Sequence, residues 1–125
     1  MARLFILIAA ISGLIAVVLG AFAAHGLKQI LAPAALQAFQ TGVQYQMYHA
    51  LALLAVGVLM QIKPSLAGLK ASGLAYILGT LLFSGSLYAL ALGAPRWFGP
   101  ITPLGGLSFM LGWLLLAIAA WRLKP

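Results

Sequence analysis

The chain contains no aspartate, no glutamate and no cysteine. The missing carboxylates exclude glycosidase pairs, aspartyl dyads, carboxylate cages for hard cations and carboxylate-driven proton coupling. The missing cysteines exclude disulfides, thiolate nucleophiles, thiolate zinc sites and iron–sulfur clusters, and they leave the redox compartment unmarked. Charge is scarce altogether, at 6% of residues against about 25% in a soluble domain. In its place stands apolar side chain, 65% of 125 residues, a composition suited to lipid rather than water.

Seven Lys and Arg give a formal charge of +7. They are spread over the ends of apolar runs and not gathered in a patch, which argues against nucleic acid and makes membrane lipids, through anionic head groups, the implied partner. The charges delimit uncharged runs from Leu4 to Ala24, Gln29 to Ile62, Ala71 to Pro95 and Trp97 to Trp121. Each can cross a bilayer, which takes about 20 mostly apolar residues. Ala21-Phe22-Ala23 has the form of a signal-peptidase site, but the apolar stretch before it exceeds the roughly 7 to 15 residues of a signal core, so it reads as a span.

The expected architecture is all-α: an integral membrane four-helix antiparallel bundle forming a single domain, residues 1–125, with spans of about 4–24, 43–62, 71–92 and 104–123. Ser12, Ala16, Gly20 and Ala24 recur every four residues and give the first helix a smooth face for another backbone. Pro33 to Gly42 reads as a bent or amphipathic lead-in to the second helix, because Gln37, Gln40, Thr41, Gln44 and Tyr48 share one side at helical spacing. Lys63-Pro64-Ser65 predicts a stop and a hairpin-like turn. Gly93-Ala94-Pro95 breaks the third helix, and the Gly and Pro from Gly99 to Gly106 predict an irregular loop before about Leu104. Four crossings put Arg3, Lys63, Lys70, Arg122 and Lys124 on one side and Lys28 and Arg96 on the other, so both termini are expected in the cytoplasm.

That orientation brings polar residues together near the outer face. The candidate ligand-binding set is Gln40, Thr41, Gln44, Tyr48, His49, Ser84, Tyr88, Arg96 and Thr102. Amides, phenols and hydroxyls can orient a head group by hydrogen bonding, Arg96 supplies a charge, and ionisable groups within a span mark functional sites. A structural reading of the same residues is available: His49 bonded to Ser, Tyr or backbone, the Gln row bonding between helices, and Arg96 anchoring at the interface. The sequence composes no Ser-His-acid triad and no GxxxxGK phosphate loop, and its two His cannot fill a closed zinc site. No catalytic residue, metal or cofactor is expected.

Four ordered motifs carry a resemblance: Gly20-Ala21-Phe22-Ala23-Ala24-His25-Gly26-Leu27, Thr41-Gly42-Val43-Gln44-Tyr45-Gln46-Met47-Tyr48-His49-Ala50-Leu51, Leu82-Phe83-Ser84-Gly85-Ser86-Leu87-Tyr88 and Ile101-Thr102-Pro103-Leu104-Gly105-Gly106. Over nearly its whole length the chain resembles the domain-of-unknown-function 423 family of small multi-pass bacterial inner-membrane proteins. The resemblance implies a four-span protein of the inner (plasma) membrane. It brings no activity, and no catalytic residue is carried over. Ala23 stands where the family pattern is associated with Gly. The resulting expectation is a non-enzymatic membrane protein whose outer-leaflet polar cluster binds a lipid or small amphiphile. The alternatives are a structural or regulatory subunit, as a homo-oligomer or with another membrane protein, and an oligomeric small-molecule transporter or channel.

Overall fold

Backbone in lipid has no water to satisfy its polar groups, so apolar runs of this length must close their hydrogen bonds internally, as helices do. The computed structural model describes residues 1–125 and contains no strand. Helix α1 covers Ala2–Ile30, α2 Pro33–Ile62, α3 Leu69–Ala91 and α4 Ile101–Trp121, with a single 3-10 turn, Arg96–Phe98, before α4. Four helices are thus long and apolar enough to cross a membrane.

Local chemistry sets the helix ends. Pro33 occupies the first turn of α2, where a missing N–H costs nothing. The α2–α3 turn closes at Gly68 (φ 96°) and α3 ends at Gly93 (φ 98°), both left-handed positions that side chains with a Cβ rarely adopt. Two expectations are corrected. The lead-in from Pro33 to Gly42 is not a separate bent element, because α2 runs without interruption for 30 residues. At about 1.5 Å per residue it measures roughly 45 Å, longer than the roughly 30 Å hydrocarbon layer it has to cross. The Gly- and Pro-rich stretch is already helical from Ile101, because Pro103 falls within the first turn of α4, where proline is tolerated.

Two helices contain a π turn, Ala23–Leu27 in α1 and Thr80–Ser84 in α3. Each adds one residue to the helical repeat and swings the following side chains by about 100°. In α1 the spacing-of-four stripe holds from Ser12 through Ala16 and Gly20, after which Ala23 and Leu27 turn inward and Ala24 faces out.

Packing is pairwise: α1 lies along α2, α2 along α3 and α3 along α4. Glycines admit aromatic and branched side chains at these seams, Gly79 under Phe109, Gly112 under Tyr76 and Gly57 under Ile6, and Gly73 under Phe5 brings α1 to α3 at one end. The main apolar cluster holds Phe5, Leu53, Val56, Leu69, Tyr76 and Phe109. A smaller one at the other end holds Ala23, Leu27, Phe39 and Ala91. Between the two runs a polar layer.

Candidate functional site

The polar layer begins at Gln46, a buried amide on α2 that the sequence reading passed over in favour of Gln40 and Gln44. Its Nε2 donates to the Ser12 carbonyl oxygen of α1 at 3.0 Å, and its Oε1 accepts from the Tyr88 hydroxyl of α3 at 2.6 Å. One amide therefore ties three helices and keeps one N–H to spare. Four residues before Tyr88, the buried Ser84 donates its Oγ hydrogen to the Gly42 carbonyl oxygen at 2.7 Å, a second link between α2 and α3. That approach is possible because Gly42 has no side chain: a Cβ there would strike the Tyr88 ring.

His49 lies one turn further along α2 and is 5% exposed. Its ring stacks on Phe109 with centroids 3.5 Å apart and planes 5° from parallel. The indole Nε1–H of Trp113 donates to Nε2 at 3.0 Å. Because an indole N–H can only donate, Nε2 must accept, which puts the ring proton on Nδ1, 2.7 Å from the Tyr45 carbonyl oxygen to which it donates. Both ring nitrogens are thus occupied within the protein.

The nine residues singled out from the sequence do not share one cavity. His49, Ser84 and Tyr88 lie in the polar layer. Thr102 pairs with Ser86 across the α3–α4 seam, and Thr41 donates back to the Gln37 carbonyl oxygen of its own helix at 2.9 Å. Gln40, Gln44, Tyr48 and Arg96 are exposed. Gln37, Gln40 and Gln44 are exposed, Tyr48 borders a groove with Phe109, Met110 and Trp113 of α4, and Gln46 and His49 turn inward.

The concavity nearest the polar layer is a cleft of about 390 Å³ between α1 and α3, floored by α2. These two outer helices meet near one end, through Phe5 over Gly73, and further along they leave this gap. Its apolar walls come from Ile8, Ile11, Ile15, Leu53, Ile77 and Leu81, and its polar lining from Ser12, Gln46, His49, Tyr76, Thr80 and Tyr88. Tyr76 is fully buried and its hydroxyl has no hydrogen-bond partner. No cation lines the cleft. The arrangement can hold an uncharged apolar molecule and donate to one or two of its oxygens.

A family model described as "Protein of unknown function (DUF423)" matches residues 19–106. Among relatives, the UPF0382 inner membrane protein YgdD of Escherichia coli (strain K12) is 46% identical over 122 residues, 98% of this chain and 92% of that protein. The UPF0382 membrane protein YwdK of Bacillus subtilis (strain 168) is 43% identical over 118 residues, 94% of this chain and 96% of its own. A UPF0382 membrane protein of Haemophilus influenzae is 45% identical over 120 residues, 96% and 95% of the two chains. No solved structure matches. The four apolar helices and the names of these relatives agree on a multi-pass membrane protein, and the matched length places the chain in the DUF423 family.

Proposed function

We propose that this protein is a non-enzymatic membrane protein that holds an uncharged lipid or small amphiphile in the cleft between α1 and α3. The observation that carries the reading is the cleft's lining: isoleucine and leucine walls, no cation, and the Gln46 amide with one N–H to spare. The same lining argues that the ligand is neutral at this depth, since neither a phosphate nor an amine would find an opposite charge there. His49 supports binding rather than transport, because a proton taken up at Nε2 would displace the Trp113 hydrogen bond.

Native mass spectrometry of the protein released gently from its own membrane tests this reading. A neutral lipid should co-release with the wild type. Gly85 lines the cleft and has open space where its Cβ would stand, so Gly85→Leu should fill the cleft and abolish the adduct while the protein stays folded. An adduct unchanged in Gly85→Leu, or no adduct in the wild type, rejects the proposal.

A second reading, a subunit of a membrane assembly, is favoured by Gln40, Gln44 and Tyr48, whose exposed polar groups form a row along α2 that another helix could cover. Crosslinking in native membranes discriminates: a single-chain species with no captured protein removes it.

A further inference from the structure

The end of the bundle bearing the termini carries a second cleft, of about 400 Å³, where the α2–α3 turn meets the tail after α4. Lys63 from the turn and Arg122 and Lys124 from the tail line it together with Ser65. Three of the seven cations of the chain are therefore gathered in one concavity, and the sequence contains no acidic side chain to stand between them. Like charges held together repel, a cost that the carbonyl ends of α2 and α4, capped by Lys63 and Arg122, offset in part and that an entering anion would remove.

The turn is anchored by packing. Leu69 is 1% exposed and Ala119 fully buried in the main apolar cluster, and a Cβ at Gly68 would lie 3.7 Å from the Leu115 carbonyl oxygen. The turn is thereby docked against the last turns of α4, which fixes one wall of the cleft. The level along the bundle names the class of anion. Ile62, the last residue of α2, is 65% exposed and Trp121, the last of α4, 90% exposed, an apolar and an aromatic group suited to the lipid boundary immediately beneath the cations.

We propose that this cleft binds the head group of an anionic phospholipid, its phosphodiester held by Lys63, Arg122 and Lys124. Arg122 offers a planar fork for two phosphate oxygens, the lysines offer point charges, and Ser65 adds a hydroxyl donor. Free phosphate shares this chemistry, but only a lipid also brings acyl chains to lie along Ile62 and Trp121. The site is independent of the neutral cleft at mid-membrane, from which it differs in charge, depth and lining residues.

The test uses the full chain in phosphatidylcholine nanodiscs containing a minor share of phosphatidylglycerol, with the lipid retained on release into detergent counted by native mass spectrometry. The wild type should retain phosphatidylglycerol in preference to phosphatidylcholine. Each cation near an anionic surface is worth about fivefold in affinity, so R122Q/K124Q should reduce the preference about thirtyfold. K28Q, which removes a cation at the opposite end, should leave it intact. Should the double variant lose its helix signal, K63Q alone should still cost about fivefold. Equal retention of the two lipids by the wild type, or as large a loss in K28Q as in R122Q/K124Q, overturns the proposal. Inorganic phosphate should fail to displace the lipid; complete displacement would assign the cleft to free phosphate and overturn the lipid reading.

Discussion

His49 shows how much one side chain can fix. Its stack on Phe109 and its bond from Trp113 join α2 to α4, two helices that are not neighbours along the chain. Removing the indole donor leaves a buried acceptor unpaired, whereas removing both partners together leaves nothing unsatisfied. A double-mutant cycle of Trp113→Phe and His49→Phe should therefore give a favourable coupling of about 0.6 kcal/mol, and no more than about 1.7, as for hydrogen bonds between membrane helices in general. Reversible unfolding in micelles measures it, and a coupling indistinguishable from zero would mean the bond contributes nothing to stability.

At the level of the helices, glycine decides how close two backbones come. A Cβ on Gly105 would strike the Phe83 backbone, which cannot move without displacing α3, whereas a Cβ on Gly85 meets nothing within 4 Å. Gly105→Ala should thus destabilise the α3–α4 pair by about 1 to 3 kcal/mol, and Gly85→Ala should be neutral or slightly stabilising. Thermal unfolding of the two variants side by side checks the contrast, and equal effects would contradict the packing described. The helices themselves were legible from the sequence, because uncharged length and the stops at Lys63-Pro64 and Gly93 depend on local chemistry alone. Their rotations were not. Polar residues occupy α2 at Gln37, Gln40, Thr41, Gln44, Gln46, Tyr48 and His49, an arc too wide for periodicity to say which edge faces a neighbour. The tertiary contacts with Ser12 and Tyr88 select Gln46, and the sequence spacing had pointed to Gln44. The π turns were equally hidden, since Thr80–Ser84 contains nothing that an ordinary α-helix would refuse.

For the molecule as a whole, the absence of cysteine makes topology directly measurable. With Arg3, Lys63, Lys70, Arg122 and Lys124 at the end that bears the termini, the positive-inside bias predicts that this end faces the cytoplasm. A membrane-impermeant maleimide should label Trp97→Cys in intact cells and should reach Ser65→Cys only after permeabilisation; the reverse pattern would invert the protein. The π turn of α3 carries a last implication for how the molecule tolerates change in length. It is the imprint of one surplus residue, and losing Leu81 would mend the helix rather than break it. Helical content would hardly change, and because the residue removed is the one the π turn absorbs, everything from Ser84 onward would keep the face it now presents. Ser84 would stay on Gly42 and Tyr88 on Gln46, so the shorter helix would be the more regular one and the bundle would keep the cross-links at its centre, whereas the same deletion in an unbroken stretch of α3 would turn every later side chain by about 100°.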